Sequence, residues 1–480
     1  MSDSLFKTKP MTHQLKALEM SEGQEYFAYL MEMGTGKSFV LINDVAREYR
    51  LGKIGALIYT APKGAFTDFP DIQVPTHLPD DIPRIILKWG SKTFQEDFKK
   101  AVKVIDKLII FAINVEAMAY DSGKEAVLKF IKEVPGQVMF SVDESTCIKN
   151  IKAQRTKNVV TLGKLCAKRR ILSGSPVTRS PLDMYGQGIF LSPKFLGYSS
   201  FVAFRARYAI VKDQRLTGGR SFPMVVGYQN LDELKMRVQA HSFRVLKSQC
   251  LDLPDKIYQY REVEMTKEQM SAYRDMAKEG VAFLGDGGMV SAVGALALLT
   301  RLHQITCGHV KNDDGEEIEL PHKRLDALME VLEQTAGKVI IWATYVKNIK
   351  DIKKLIIKEY GEESVVDYYG ATSDEDRAMA KNRFQNDPKT RFFIGNPSTG
   401  RYSLTLTEAS TVVYYSNSYD LEHRIQSEDR AHRIGQKNNV TYIDLVIRKT
   451  MDEVIYKSLK SKINIAASIT GDQLKQWLTL

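Results

Sequence analysis

Cysteines and long apolar runs are both scarce in this chain. Its four cysteines are scattered and form no CxxC pair, which argues against a disulfide framework and fits a reducing cytoplasm. The longest apolar runs, at 107–113 and 338–345, have the length of strands and are too short to cross a bilayer. The first residues, MSDSLFKTKPMTHQ, lack the continuous apolar core of a signal peptide. We therefore expect a cytoplasmic protein without a membrane partner.

Basic residues outnumber acidic ones, and the net charge is +10. Such an excess favours a polyanionic partner, with nucleic acid the first candidate, although a solvated surface would give the same charge. The basic residues cluster at 149–158, 164–170 and 204–215. Aromatic stacking platforms, which single-strand binders use, are not apparent in these stretches. The pattern therefore favours a duplex that is contacted through its phosphates.

Apolar strands alternate with amphipathic stretches in two blocks, and 480 residues are too many for one core. The alternation is typical of a parallel sheet covered on both faces. Strands are predicted at 25–32, 54–61, 107–113, 137–144 and 169–175, and again at 338–344, 364–370, 391–396, 411–416 and 440–447. The stretch between the blocks contains glycine-rich and helical segments, which indicate helical insertions around a hinge.

A glycine-rich turn follows the first predicted strand, in the sequence MEMGTGKSF at 31–39. Strand, glycines, lysine, hydroxyl and helix in this order indicate a P-loop, although Met31 stands where the strict pattern has glycine. Glycines let backbone N–H groups turn towards phosphate oxygens. The predicted ATP contacts are Gly34, Thr35, Gly36, Lys37 and Ser38, with Lys37 on the β- and γ-phosphates and Ser38 on Mg²⁺.

An acidic pair ends the strand at 137–144. Asp143 is the candidate carboxylate for Mg²⁺, and Glu144 the candidate base that orients the attacking water. An acidic pair that merely caps a strand end is the alternative, and the P-loop in the same block favours the catalytic interpretation.

Two arginines three positions apart, Arg430 and Arg433, occur in QSEDRAHRIGQ at 426–436 and should share one face of a helix. Guanidinium groups at this spacing suit a phosphate. We expect them to reach across a cleft to the γ-phosphate as arginine fingers supplied in cis, so that hydrolysis requires domain closure.

These motifs, in this order, resemble the Swi/Snf branch of the superfamily-two helicase-like ATPases, and most of all its short phage and bacterial members. The resemblance covers nearly the whole chain, with HRIGQ its most specific piece and DESTCIKN at 143–150 similar to the branch's acid box. It implies two RecA-like α/β domains with helical insertions between them, a P-loop NTPase fold, and a bacterial or phage-infected cell. The implied ranges are 1–195, 196–322 and 323–480.

The resemblance also assigns roles to single residues. Gln14 matches a glutamine that reads adenine, and Gln426 belongs to the arginine motif. Pro62 and Lys63 match a DNA-contact motif, Lys149 and Asn150 a Lys-Asn pair that follows the acid box. The segment Ser173, Gly174 and Ser175 resembles the motif that couples ATP state to DNA grip.

The chain departs from the branch at four positions, Thr146, Cys147, Tyr402 and Ser403. Thr146 stands where the acid box usually has histidine, Cys147 where arginine is common, and Tyr402 and Ser403 where relatives are richer in glycine. His303, Cys307 and His309 are spaced closely enough to suggest zinc, but no fourth ligand accompanies them. We therefore expect a structural segment there, and ATP with Mg²⁺ as the cofactors.

The function expected from these features is ATP-dependent translocation on DNA, most simply on duplex, with displacement of bound proteins or remodelling of DNA structure. A strand-separating or branch-migrating helicase is the alternative within enzymes. An ATP-gated DNA clamp with little turnover is the alternative of another class, and DNA-stimulated phosphate release separates it from a motor.

Overall fold

The strand Ala56–Ala61 illustrates why a covered sheet forms in the first half of the chain. Ala56 and Ile58 belong to one apolar core, whereas Leu57 and Tyr59 belong to another. Every residue of this strand is buried. Because side chains alternate across a strand, burial on both faces requires helices on both sides of the sheet, as parallel sheets have.

The computed structural model describes residues 5–63, 65–215, 221–285, 292–312, 314–399, 404–470 and 472. Its strands are β1 Tyr26–Met31, β2 Ala56–Ala61, β3 Arg84–Lys88, β4 Leu108–Asn114, β5 Val138–Asp143, β6 Lys168–Leu172, β7 Ala209–Arg215, β8 Ser221–Tyr228, β9 Ser242–Val245, β10 Lys256–Glu262, β11 His309–Lys311, β12 Glu317–Glu319, β13 Lys338–Trp342, β14 Val365–Tyr368, β15 Phe392–Gly395, β16 Ala409–Tyr414 and β17 Val440–Val446.

The helices are α1 Thr12–Ser21, α2 Lys37–Arg50, α3 Val74–His77, α4 Phe94–Ala101, α5 Asp121–Glu133, α6 Gln154–Gly163, α7 Asp183–Leu191, α8 Pro193–Leu196, α9 Phe201–Tyr208, α10 Leu231–Ala240, α11 Lys247–Cys250, α12 Lys267–Gly285, α13 Ala292–Thr306, α14 Arg324–Gln334, α15 Val346–Tyr360, α16 Asp374–Asn386, α17 Leu421–Ala431 and α18 Met451–Thr470. No helix within the described residues is long and apolar enough to span a membrane.

The described residues divide into two compact units. The first contains residues within 5–210, 225–252 and 465–472, and the second those within 211–224 and 253–464. The sheet of the first unit has the strand order β3-β4-β2-β5-β6-β1-β9, and every pairing in it is parallel. The carboxyl ends of all seven strands therefore meet at one edge, where ligands of open parallel sheets bind.

The sheet of the second unit has the order β10-β17-β16-β13-β15-β14 and is also parallel throughout. Two apolar cores cover its faces: Ile341 and Val413 belong to one, Trp342 and Val412 to the other. The predicted fold class of two parallel-sheet α/β domains is confirmed.

The stretch predicted as helical insertions, 196–322, differs from that prediction. It supplies β9 to the first sheet and β10 to the second, and it contains two further two-stranded sheets, β7-β8 and β11-β12. Within the two large sheets, three strands escaped sequence reasoning, β3, β9 and β10. β10 alternates half-buried and exposed residues at a sheet edge, and β9 has only four residues, one of them the charged Arg244. Neither has the continuous apolar run that marks a buried strand.

Candidate nucleotide site

The loop after β1 has the backbone of a phosphate cradle. Gly34 and Gly36 adopt φ angles of +85° and +87°, which favour glycine, and α2 begins at Lys37 immediately after them. Thr35 closes the turn by donating its hydroxyl to the carbonyl of Glu32 at 2.8 Å. The first N–H groups of α2 therefore lie beside the loop, where a helix attracts anions.

Two side chains of α1 contact the backbone of this loop. Gln14 Nε2 donates to the carbonyl of Thr35 at 3.3 Å, and His13 Nε2 lies 2.8 Å from the same oxygen. Gln14 packs so closely that a Cβ at Gly36 would stand 2.1 Å from its Nε2. The structure thus brings Gln14 to the glycine loop, and it adds a contact from His13 that sequence reasoning missed.

Lys37 and Ser38 lie in the first turn of α2. The Lys37 side chain is 8% exposed, and within the described residues it takes part in no hydrogen bond or ion pair. A lysine buried to this degree normally has an anionic partner. The position of the Lys37 side chain therefore suits a phosphate group. Ser38 is half-buried, and its hydroxyl is a group that phosphate-binding loops carry after the lysine.

The acidic pair at the end of β5 has a strained backbone. Glu144 adopts φ +46° in the left-handed region, and its N–H donates to Asp143 Oδ1 at 2.8 Å. A short 3₁₀ turn, Ser145–Ile148, follows at once. Left-handed non-glycine residues cost about 1–2 kcal/mol and cluster at active sites. The left-handed backbone at Glu144 gives its side chain a direction different from the one it would have if the strand continued in the extended conformation.

The coupling segment lies between the loop and the acidic pair, because β6 separates β1 from β5 in the sheet. Two strand spacings put the ends of β1 and β5 about 10 Å apart, a gap that a metal-bound phosphate can span. Gly174 approaches the loop so closely that a Cβ there would stand 3.2 Å from the backbone nitrogen of Met33. The sheet order thus gathers three motifs that are spread over residues 31–175 of the sequence.

Two hydrogen bonds connect the turn after the acidic pair to the segment after the coupling motif. Ser145 Oγ donates to Gln187 Oε1 at 2.6 Å, and Lys149 Nζ donates to Thr178 Oγ1 at 2.6 Å. Gln187 Nε2 continues to the carbonyl of Pro176 at 2.7 Å. Thr146, which stands in place of histidine, is buried in the same turn. Ser145 and Lys149 thus each contribute one hydrogen bond to this connection.

Arg244 on β9 is a second residue that sequence reasoning missed. Its Nη1 donates to the carbonyl of Leu30 at 3.1 Å and to that of Gly174 at 2.9 Å. Its remaining nitrogens pair with both oxygens of Asp472, at 3.0 and 2.7 Å. One guanidinium thus ties the end of β1 to the coupling segment. The sequence feature that could have identified Arg244 is an arginine inside a short apolar strand. This feature can be recognised only once the strand is known.

The predicted DNA contacts leave neighbouring strands of the same sheet edge. Pro62 is buried after β2, and the exposed Lys63 donates its backbone N–H to Glu116 Oε2 at 3.0 Å. Asn150 is exposed beyond β5, and its Oδ1 accepts the N–H of Lys152 at 3.0 Å.

Two basic residues at the end of the run 149–170 are buried. The expectation that this run contacts DNA is therefore wrong for these two residues. Arg170 is fully buried and pairs with Asp44 at 2.7 Å. Lys168 is also buried and pairs with Glu48 at 3.0 Å. Both lie on β6 inside the first unit, so their charges serve the protein interior.

In the second unit, Arg430 is fully buried in the last turn of α17. Its Nε donates to the carbonyl of Gln426 at 3.0 Å, and its Nη1 to that of Leu404 at 3.2 Å. Gln426 is 5% exposed, and its Oε1 has no hydrogen-bond partner within the described residues. A buried acceptor of this kind is costly unless something donates to it.

Arg433 lies beyond α17, so the prediction of one helix carrying both arginines is wrong. The helix ends at Ala431, where Gln436 Nε2 donates to the terminal carbonyl at 3.2 Å and Gly435 adopts φ +102°. Arg433 Nη1 nevertheless reaches the carbonyl of Leu404 at 3.3 Å and Thr405 Oγ1 at 2.9 Å. Burial lowers the pKa of Arg433, although Asp429 opposes the shift. Tyr402 and Ser403 lie outside the described residues.

His303, Cys307 and His309 contribute to the interior of the second unit. His303 Nδ1 lies 2.9 Å from the hydroxyl of Tyr345, and burial lowers the pKa of His303 to about 4. Burial raises the pKa of Cys307 to about 12. Within the described residues, no group of three or more His, Cys, Asp or Glu side chains is placed to hold a metal ion.

Two family models match the chain, one in each block. The SNF2-related domain matches residues 32–311, and the helicase conserved C-terminal domain matches residues 323–435. The first of these covers more than half of the 480 residues.

Several named proteins are similar over most of this chain. The SWI/SNF-related matrix-associated actin-dependent regulator of chromatin subfamily A-like protein 1 of Xenopus tropicalis is 28% identical over 68% of this chain and 32% of its own length. The DNA annealing helicase and endonuclease ZRANB3 of Mus musculus is 28% identical over 69% and 30%. Protein CHROMATIN REMODELING 4 of Arabidopsis thaliana is 25% identical over 78% and 16%. The chain thus spans at most about a third of these relatives.

Among solved structures, the Sulfolobus solfataricus SWI2/SNF2 ATPase core in complex with dsDNA is 21% identical, with a TM-score of 0.42. The alignment covers 98% of this chain and 96% of that one.

Proposed function

Because the chain belongs to the family of the SNF2-related domain, we propose that it is a DNA-dependent ATPase that uses ATP hydrolysis to move along duplex DNA. The predicted resemblance to the Swi/Snf branch is confirmed by that family match. The observation that carries the proposal is the sheet edge of the first unit, where the glycine loop, the acidic pair and the coupling segment meet.

The first unit would bind the nucleotide through its loop. Gly34, Thr35 and Gly36 present backbone N–H groups, and the Lys37 ammonium, which has no partner within the described residues, would pair with the β- and γ-phosphates. Ser38 and Asp143 would hold Mg²⁺, whose chemistry when bound is to neutralise charge on the phosphate oxygens. The fit rests on the buried cationic side chain at the start of α2 and on the carboxylate two strands away.

Hydrolysis would use Glu144 to orient water and to accept its proton. Arg430 and Arg433 would stabilise the charge that develops on the γ-phosphate, in the manner of arginine fingers. Gln426 would join them through its Oε1, a buried acceptor suited to a water molecule or a nucleotide hydroxyl. The convergence of both guanidinium groups on Leu404 supports a shared role.

DNA contact would fall to Pro62, Lys63, Lys149 and Asn150. The Lys149–Thr178 hydrogen bond supports a coupling role, because it joins the turn after the acidic pair to the segment after Ser175. A change in the coupling segment with ATP state would then alter the position of a lysine that contacts DNA phosphates.

A phosphate-release assay with single-stranded DNA, duplex DNA, forked DNA and RNA tests the proposal. We expect duplex to stimulate release most, and Glu144→Gln to abolish that stimulation. In a parallel assay, ATP but not a non-hydrolysable analogue should drive displacement of a triplex-forming third strand. Absence of DNA-stimulated release would favour a clamp over a motor.

A strand-separating helicase is the second candidate, and the β7-β8 sheet favours it. Within this pair Ile210, Val211, Met224 and Val226 are 38–46% exposed. Exposed apolar side chains can wedge between base pairs. In the described part of 323–480, by contrast, every strand belongs to the parallel sheet.

Met224→Ser with Val226→Ser separates the two candidates. A wedge predicts that this double variant loses unwinding of a tailed duplex. A motor on intact duplex predicts unchanged triplex displacement and little unwinding by either protein. Efficient unwinding by the parent chain without triplex displacement would overturn the translocase proposal.

A further inference from the structure

Tyr59 contacts the carboxylate proposed to direct Mg²⁺. It lies on β2, next to β5 in the sheet, and its hydroxyl donates to Asp143 Oδ2 at 2.7 Å. The other oxygen of Asp143 accepts the N–H of Glu144 at 2.8 Å. Both carboxylate oxygens therefore have a fixed donor, and the plane of the carboxylate is determined from two sides.

The Tyr59 ring is itself held rigidly. It is 2% exposed and stacks on Phe69 with ring centroids 3.7 Å apart and planes 5° from parallel. Phe69 is fully buried and begins a π-helical turn, Phe69–Gln73. Since neither ring has free space, the hydroxyl cannot swing away from Asp143 without displacing the stack.

The Tyr59 hydroxyl donates its hydrogen bond to a carboxylate oxygen. A hydrogen bond from a hydroxyl group to a carboxylate is charge-assisted, and it is stronger than a bond between neutral groups.

We propose that Tyr59 is a positioning residue that orients Asp143 for Mg²⁺ through its hydroxyl, with Phe69 locking the ring. The proposal rests on the proposed function, in which Asp143 serves the metal. Groups that hold a metal-directing side chain typically change metal affinity by 10–100-fold when removed. Nothing in the apolar pattern of β2 signalled this role, because Tyr59 occupies one of its regularly buried positions.

Tyr59→Phe is the test, because it removes one oxygen atom and keeps the stack on Phe69. Binding of a fluorescent ADP to the full chain is titrated with Mg²⁺ and repeated in EDTA. We expect the half-saturating Mg²⁺ concentration to rise about tenfold and the affinity in EDTA to stay unchanged. Unchanged Mg²⁺ dependence, or equal loss with and without the metal, overturns the proposal.

Tyr29→Phe is a matched control. Tyr29 is also fully buried in this sheet, and its hydroxyl donates to a carboxylate, that of Asp44, at 2.8 Å. Asp44 lies in the middle of α2, away from the sheet edge. The control should melt at a lower temperature and keep the Mg²⁺ dependence of the parent chain. A tenfold rise in the control as well would show that any lost hydroxyl loosens the site, and would overturn the proposal.

Asp143→Asn distinguishes failure of this inference from failure of the proposed function. If that variant keeps the parent Mg²⁺ dependence, Asp143 does not serve the metal and the proposed role of Asp143 is wrong. If it raises the Mg²⁺ requirement while Tyr59→Phe does not, only the inference about Tyr59 is wrong. Adding Tyr59→Phe to Asp143→Asn should raise the requirement no further.

A second variant covers the case in which Tyr59→Phe yields too little folded protein. Phe69→Leu keeps the hydroxyl and removes the ring that locks it. We expect a smaller rise in the half-saturating Mg²⁺ concentration in the same assay. An unchanged value would contradict the proposed locking role of Phe69.

Discussion

Arg430 and Arg433 share one acceptor, the carbonyl oxygen of Leu404, which lies 3.2 Å from Nη1 of the first and 3.3 Å from Nη1 of the second. The two guanidinium groups are therefore neighbours although the helix ends between them. They differ in burial: Arg430 is fully enclosed, whereas Arg433 is half-buried. This difference separates their expected mutant phenotypes.

Arg433→Ala should reduce kcat by about 10³ or more and leave ATP affinity nearly unchanged, because an arginine finger stabilises the transition state more than the ground state. Arg430→Ala should in addition destabilise the second unit, since it removes a fully buried side chain together with its hydrogen bonds to the carbonyls of Gln426 and Leu404. Steady-state kinetics and thermal melting measure the two effects. A rise in KM at constant kcat for Arg433→Ala would show that it only binds nucleotide.

Lys37→Ala should weaken nucleotide binding and abolish hydrolysis, because it removes the charge proposed to face the β- and γ-phosphates. Stability should change little or rise, since the variant also removes a charged side chain that is 8% exposed and has no partner within the described residues. Binding of a fluorescent nucleotide and urea unfolding test both statements. Unchanged turnover would remove the phosphate-loop assignment.

Glu144→Gln and Glu144→Gly should both lose hydrolysis and differ in stability. Glutamine keeps the left-handed strain at φ +46°, whereas glycine relieves about 1 kcal/mol or more of it and gives part of this back as backbone entropy. We expect Glu144→Gln to bind ATP and DNA, and Glu144→Gly to melt at the same or a higher temperature than Glu144→Gln. Loss of ATP binding in Glu144→Gln would show that Glu144 has another role.

The buried pair of Asp44 and Arg170 should make unfolding depend on pH. Burial alone would raise the pKa of Asp44, but the Arg170 and Arg47 guanidinium groups outweigh it, and the pKa lies below its usual value. Asp44 therefore stabilises the folded chain above the pKa of the unfolded state, about 3.9, and loses this contribution as the pH falls through the lower folded value.

Asp44→Asn should accordingly lower the free energy of unfolding at neutral pH by about 3–5 kcal/mol, because it leaves Arg170 buried without its counter-ion. It should also flatten the decline in stability below about pH 4. Urea unfolding of the parent chain and the variant over a pH series measures both. An equal slope in the two proteins would assign the acid sensitivity to other carboxylates.

DNA binding should weaken with salt and vary little with sequence. Lys149→Ala should lower the slope of log K against log salt by about one unit, because one phosphate contact is lost. Lys132→Ala, which removes an exposed lysine from α5, is the control and should leave the slope unchanged. A slope near zero for the parent chain would contradict recognition through phosphates.

Sequence reasoning located the strands that are buried on both faces, because continuous apolar runs such as Val138–Asp143 have a single structural interpretation. It also found the residues that the sheet edge gathers, since strand ends carry them. It missed edge strands such as Lys256–Glu262, which are half exposed and polar on alternate positions. It could not place Tyr59 beside Asp143 or Arg244 beside Gly174, because these partners lie more than 60 positions away and only the strand order brings them together.

The end of α17 and the interior position of Arg170 were missed for related reasons. The helix ends at Ala431 because the Gln436 side chain donates to the carbonyl of Ala431 and caps the helix. Local spacing does not predict this contact. Arg170 belongs to a basic run, but it lies on a strand, where successive side chains point to opposite faces of the sheet. Its own side chain points into the core and pairs there with Asp44. Charge counts along a sequence do not distinguish these two environments.

The first unit takes its residues from three separate stretches, and this has a consequence for the order of events on the ribosome. Its sheet cannot gain β9 until residue 245 has been made, and Arg244 cannot meet Asp472 until synthesis has passed the whole second unit. Long-range pairings of this kind close slowly and leave apolar edges exposed in the meantime. The nascent chain would therefore carry an open β1 edge until about half of its residues have been made, and during this period chaperones would matter more than final stability.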